Sequence, residues 1–208
     1  MLRIWGRNSS SNVMKVLWLC EELGIPFERI DAGGAFGRTH EPEYLAKNPN
    51  ALVPTIEEED GFVLWESNSI LRYLARSRAA GSPIYPADAR AAADCERWMD
   101  WQLSALNPPM TTLFFTFVRT AEPDRDLALA SKARGQAEKL WQMLETRLAT
   151  TPFICGNDLT VADVALGIHV HRWFSLPVER KAMPGLAAWY ARLKTRPGYA
   201  KHVDQPLV

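Results

Sequence analysis

Glu66 and Ser67 put a carboxylate and a hydroxyl side by side where a short apolar run, Phe62-Val63-Leu64-Trp65, gives way to Ile70, Leu71 and Leu74 at helical spacing. Such a pair at a helix start forms a corner able to hold a small polar ligand, although taken alone it reads first as a helix cap. Upstream, Pro54 follows Val53 in a segment that otherwise reads as an internal strand. Proline removes a ladder donor, so a special backbone there is expected, such as a cis peptide bond. A second polar group, Ser9, Ser10, Ser11 and Asn12, precedes an apolar repeat and suits a loop that caps a helix. His169 and His171 stand two apart in a helical stretch, which turns their side chains away from each other, and no metal site is expected there. Cys20, Cys95 and Cys155 are odd in number and widely spaced without a CxxC pair, so they are expected to be reduced and mostly buried.

The elements that must position these groups follow from periodicity and punctuation. Leu2 to Trp5 reads as a strand, ended by the polar cluster from Gly6 to Asn12. Val13, Val16, Leu17, Cys20 and Leu23 then repeat at helical spacing up to Gly24, placed as a C-terminal cap with Ile25 behind it. Phe27 to Ile30 is the next strand, Gly33 to Gly37 a flexible connection, and Glu41 to Ala46 a short helix. A turn at Asp60-Gly61 joins the two strands of the Pro54 segment, so the first part reads β-α-β-(α)-β-β-α.

Beyond a small, Gly- and Pro-containing stretch at Ala79 to Pro83, everything is helical in character. Pro86 suits a first turn and Asp88 the positive end of a helix whose stripe runs through Cys95, Trp98, Met99, Leu103 and Leu106. Asn107-Pro108-Pro109 is expected to kink or break that helix. Leu127 to Leu148 offers Leu129, Ala133, Ala137, Leu140, Trp141, Leu144 and Leu148 as one face of a long amphipathic helix. Thr160 and Asp163 form a capping box, with Leu159 stapled onto Val164, which is a folding signal and not chemistry. Pro184-Gly185 opens a last helix, and Pro197-Gly198 is expected to close it.

Composition narrows the function classes. The 208 residues are 47% hydrophobic, enough to fill a core, and Lys plus Arg equals Asp plus Glu at 24 each. With no basic excess, nucleic acid is not an expected partner. The N-terminus lacks the apolar core of a signal peptide and no apolar run reaches the roughly 20 residues that span a bilayer, so a soluble, cytoplasmic protein without a membrane partner is expected.

Four segments in one order, SSSNVMKV, NPNALVPTI, WESNSILRYL and GNDLTVADV, resemble the glutathione transferase superfamily, and the resemblance covers nearly the whole chain. It implies an α/β thioredoxin-like N-terminal domain over residues 1–78, a linker over 79–86 and an all-α helical C-terminal domain over 87–208, with glutathione as co-substrate, no permanently bound cofactor, and a homodimer. Carried over residue by residue, it makes Pro54 the cis-proline that offers the Val53 backbone to glutathione, Glu66 the partner of the γ-glutamyl ammonium and Ser67 a donor to the γ-glutamyl carboxylate. Arg38 and His40 are then contacts to the glycyl carboxylate. Ser10 falls where serine-type classes keep a catalytic hydroxyl and Asn12 where another group keeps an asparagine, with Ser10 placed slightly ahead. Arg7, Trp101, Met110, Phe114 and Phe115 are candidates for the pocket of the second substrate, with core packing as the rival role for the apolar ones.

The sequence departs from the family at Ala51, where a glycine is frequent, and the loop holds neither the tyrosine nor the cysteine of other classes. The expectation is therefore an enzyme that stabilises the glutathione thiolate for attack on a small electrophile. A glutathione-dependent disulfide or peroxide reductase is the alternative, and a non-catalytic binding or assembly protein of the same fold stands behind it.

Overall fold

The computed structural model describes every residue except Ala80, which is part of the expected linker and lies outside the described residues. Four strands form one sheet in the order β2-β1-β3-β4, with β1 at Leu2–Trp5, β2 at Phe27–Ile30, β3 at Thr55–Glu57 and β4 at Val63–Trp65. β1 runs parallel to β2 and antiparallel to β3, which pairs antiparallel with β4. Parallel pairing of β1 and β2 needs a crossover, and helix α1 at Ser11–Leu23 supplies it. Its end follows from Gly24, at φ 62°, which lets the Ile25 N–H reach back to the Cys20 carbonyl at 2.9 Å.

Pro54 stands immediately before β3, so no ladder donor is lost, and the Val53–Pro54 bond is cis. Helix α2 is short, at Pro42–Leu45, and delivers Tyr44 against Trp5 at 5.9 Å on one side of the sheet. Helix α3 at Ser67–Arg78 lies with α1 on the other side, where Ile4, Val16, Ile56, Ile70 and Leu74 are wholly buried.

The second part is helical throughout: α4 at Ala89–Trp101, α5 at Asn107–Phe114, α6 at Leu127–Leu148, α7 at Val161–Ser175, α8 at Pro184–Lys194 and α9 at Pro197–His202. Pro86 stays outside α4, whose first turn is capped by the Asp88 carboxylate accepting from the Ala91 N–H at 2.9 Å. Pro108 and Pro109 do not break the helix. The chain keeps right-handed helical torsions through a wide π turn at Gln102–Leu106 and begins α5 with both prolines in its first turn, where their missing N–H groups are not needed. Leu106, Met110 and Leu113 are wholly buried across this join, so packing holds the chain helical where the local rule allows a break. A second π turn follows at Phe115–Arg119.

The buried stripe of α6 is Ala130, Ala133, Ala137, Trp141, Leu144 and Leu148, while Leu129 is 50% exposed because it falls one residue off that stripe. Helix α8 ends at Lys194, just ahead of Pro197-Gly198 as expected, but it is not the last helix: the same pair opens α9, which carries Tyr199 into the core against Trp18 of α1 at 4.8 Å. Helix α7 is buried almost all round and touches α1, α3, α4, α5 and α8, so it is the post on which both parts rest.

Its start is fixed by Asp163. One carboxylate oxygen accepts from the Thr160 N–H at 2.9 Å and the Thr160 hydroxyl at 3.0 Å; the other accepts from the Ile154 N–H and the Trp189 indole N–H, each at 2.9 Å. The local box thereby reaches two distant elements. Burial pushes the Asp163 carboxyl above the usual carboxylate range, and the four donors pull it back.

Candidate functional site

The turn before Pro54 is built by two buried polar side chains. Asn48 donates to the Leu52 carbonyl at 2.8 Å and the Thr55 hydroxyl at 3.1 Å, and the Tyr44 hydroxyl donates to the same Leu52 carbonyl at 2.6 Å. Between them Ala51 takes the left-handed conformation at φ 54°, the backbone for which glycine is the usual residue. On the far wall Glu66 is the N-cap of α3, also at positive φ (73°), and its carboxylate accepts from the Asn68 N–H at 3.4 Å. Ser67, 2% exposed in the first turn of α3, has a buried hydroxyl with no hydrogen-bond partner among the described residues.

Val53, Pro54, Glu66, Ser67 and Asn12 line one cavity of about 150 Å³, together with Asn48 and Trp65. The structure therefore joins the two walls that lie apart in sequence and adds Asn12 of α1 to them. An unpartnered hydroxyl at the positive end of a 12-residue helix suits a carboxylate, and Glu66 beside it suits an ammonium. Arg38 and His40 do not line this cavity. Both are exposed on the connection after β2, with the Arg38 guanidinium 5.5 Å from the Trp5 ring centroid.

Ser10 is the N-cap of α1, with extended torsions and a hydroxyl that makes no capping bond. Its neighbours on either side face different spaces. Asn12 lines the cavity just described, whereas Ser9 lines a second cleft with Met14, Phe114, Ile168, Arg172 and the C-terminal Leu207. The loop thus contributes Asn12 to a polar cavity and Ser9 to a largely apolar cleft, while Ser10, between them in sequence, lines neither.

The remaining candidates separate. Phe114 lines the second cleft, while Phe115 is 57% exposed and packs edge-on to Phe114 at 6.1 Å. Met110 is wholly buried in the core and offers no surface to a ligand, and Trp101 packs against Trp98 at 5.3 Å. The Arg7 side chain rests on Gly33 and Gly34, so closely that a β carbon at either would stand 3.2 or 3.1 Å from it.

Beneath the first cavity runs a buried polar chain that no sequence pattern announced. Lys15 of α1, wholly buried, donates to the Asn68 side-chain oxygen at 2.9 Å. Asn68 donates onward to the Met99 carbonyl at 3.0 Å and the Gln102 side-chain oxygen at 3.2 Å, and Gln102 meets His169 at 3.4 Å. Burial pulls the Lys15 ammonium down to about 7, with the Glu66 charge opposing the fall. Burial, with Arg172 and Lys15 nearby, holds His169 well below its ordinary range, so it is neutral. One link left a partial signal, because Asn68, Leu71 and Ala75 share one buried stripe of α3 and the asparagine is polar on an apolar face.

Residues 9–77 match the family model described as glutathione S-transferase, N-terminal domain, and residues 87–192 the one described as glutathione S-transferase, C-terminal domain. The chain is 36% identical over 208 residues to glutathione S-transferase GstB of Escherichia coli K12, covering 100% of both. It is 29% identical to glutathione S-transferase 3 of Zea mays, covering 97% of this chain and 93% of that one. A crystal structure of the theta class glutathione S-transferase from Xanthomonas axonopodis pv. citri with glutathione bound superposes with a TM-score of 0.94 at 42% identity, covering 100% of this chain and 99% of that one. The sheet order, the cis Val53–Pro54 bond, the Glu66-Ser67 corner and these matches agree, and the chain belongs to the glutathione S-transferase family.

Proposed function

We propose that this protein binds glutathione in the cavity between Val53-Pro54 and Glu66-Ser67 and conjugates its thiolate to a small electrophile held in the cleft beside Phe114. The observation that carries this reading is the position of the loop before α1, with Asn12 on the first cavity, Ser9 on the second cleft and Ser10 between them in sequence, its hydroxyl making no capping bond. Glu66 pairs with the γ-glutamyl ammonium, the orphan Ser67 hydroxyl and the start of α3 receive the γ-glutamyl carboxylate, and the Val53 backbone pairs with the cysteinyl portion. Arg38 and His40 approach the glycyl end from the connection after β2. The similar Xanthomonas enzyme crystallised with glutathione bound, which supports glutathione as the ligand of this cavity.

The chemistry asks for donors and not for a strong base. A free thiol has a pKa of about 8.5, and hydrogen bonds to the thiolate lower it. Ser10 donates from the start of α1 and Asn12 from the cavity wall. The thiolate sulfur then attacks the electrophilic carbon, the carbon–sulfur bond forms and the leaving group departs with its electron pair, while the fixed geometry supplies proximity. Residues 1–78 act as the glutathione-binding domain and 87–208 shape the second pocket. The working form is a cytoplasmic homodimer serving detoxification.

Retention on immobilised glutathione together with turnover of a neutral aryl halide supports this function. Turnover confined to a disulfide or a hydroperoxide replaces it with the reductase reading, and the absence of any glutathione affinity by calorimetry refutes both.

A further inference from the structure

Arg172 lies in the last turn of α7, only 9% exposed, and among the described residues its guanidinium has neither an ion-pair partner nor a hydrogen-bond acceptor. It stacks on Phe114, 3.8 Å from the ring centroid. Arg119, from the second π turn, approaches the same ring at 5.5 Å and also forms no ion pair among the described residues. Two cations therefore share one aromatic ring with no carboxylate between them. Stacking on the ring returns only part of what burying a guanidinium costs, and such a group is normally paired. Burial, reinforced by the like charge of Arg119, pulls Arg172 down to about 10.

We propose that Arg172, supported by Phe114 and joined by Arg119, is an anion-recognition subsite of the second-substrate cleft that selects electrophiles carrying a carboxylate. This rests on the transferase reading above and adds the substrate class to it. The cleft is the one that Ser9 lines, so an anion held by Arg172 lies beside the loop that faces the thiol. Met14, Ile168 and Leu207 give the cleft apolar surface alongside the polar His171 and Gln205, which fits the body of an aromatic or alkyl electrophile with one charged end. A planar guanidinium meets a carboxylate with two parallel hydrogen bonds, a geometry a lysine would not give. With Leu207 and Val208 in place the cleft holds about 10 Å³ of open space, so a ligand seats by displacing these last side chains, of which Val208 is already 57% exposed.

The test uses the full-length protein saturated with glutathione. Calorimetry compares 4-nitrobenzoate with 4-nitrobenzamide, unreactive probes of the same shape that differ in charge. The expected result is a preference for the benzoate of about tenfold or more, cut by about tenfold in Arg172→Met and partly kept in Arg172→Lys. Arg119→Met, on an exposed side chain, lowers the same preference without disturbing the core. Turnover of 4-chloro-3-nitrobenzoate and 4-chloro-3-nitrobenzamide, each divided by its uncatalysed rate, should show the same order in kcat/KM. In that step the sulfur replaces chlorine on the ring carbon and chloride leaves with the bonding pair. Equal binding of the two probes, or a preference that survives both Arg→Met substitutions, overturns the subsite. Failure of both chlorides to react, with the benzoate preference intact, overturns the transferase reading and leaves the anion site standing.

Discussion

Replacing Asp163 by alanine should be among the most damaging single changes in the chain, although the residue touches neither cavity. The side chain is wholly buried and accepts four hydrogen bonds, from the Ile154 and Thr160 N–H groups, the Thr160 hydroxyl and the Trp189 indole, at 2.9 to 3.0 Å. Alanine removes the acceptor and leaves the donors in place. Leaving a buried donor unsatisfied costs about 1–3 kcal/mol, and losing a helix cap about 1 kcal/mol. Allowing for partial rescue by water, the sum is about 4 kcal/mol, a large part of the 5–15 kcal/mol that typically separates folded from unfolded protein. For a chain of this length about 1 kcal/mol moves the melting midpoint by about 2–4 °C, so the expected fall is about 10 °C. Near-UV circular dichroism of Trp189 and its neighbours, followed through a melt at fixed concentration, reads it directly. A fall of under about 3 °C would refute the claim that this carboxylate joins α7 to the 150s loop and α8.

Two further outcomes follow from the packing. Lys15 is held below its usual 10.5, at about 7, so between those pH values the unfolded chain binds more protons than the folded one and stability rises with pH; urea midpoints should climb across that window in the wild type, and Lys15→Met should flatten the climb. A β carbon on Gly167 would stand 2.7 Å from the Trp18 ring and 3.2 Å from Tyr199, so Gly167→Ala should lower the urea stability by about 1–3 kcal/mol, while Gly135→Ala, with open space around it, should not.

Much of the fold was legible because its signals are local. Gly24 and Ile25 announce the end of α1 within two residues, and the Thr160-Asp163 spacing announces α7 within four. Local rules misled where packing overrode them. Pro108-Pro109 reads as a break, yet the buried run around Leu106, Met110 and Leu113 keeps one helical path, with a π turn ahead of the prolines. Pro197-Gly198 reads as the stop of a last helix; α8 does end at Lys194, but the pair also starts α9, because Tyr199 has a place waiting against Trp18. Of the site, Val53-Pro54, Glu66-Ser67 and the serine loop were legible as separate features, and the fold brings Asn12 to the first four. The chain from Lys15 through Asn68 and Gln102 to His169 was not legible, since its links join α1, α3, the π turn and α7 across distances that no spacing rule describes. Arg172 was hidden in the same way, as the exposed charge that a lone arginine at a helix end usually is.

In the proposed mechanism the Ser9 to Asn12 loop, which contributes Asn12 to one cavity and Ser9 to the other cleft, stabilises the thiolate of bound glutathione. Its most direct measurement is the ultraviolet thiolate absorbance of the glutathione complex titrated against pH, in the wild type, Ser10→Ala and Asn12→Ala. A hydrogen bond to a charged group is worth about 1.5–3 kcal/mol, so loss of a donor should raise the bound thiol pKa by about one to two units from a wild-type value below the free thiol's 8.5 or so. A wild-type value no lower than that of free glutathione, or a titration that neither substitution moves, would contradict the account.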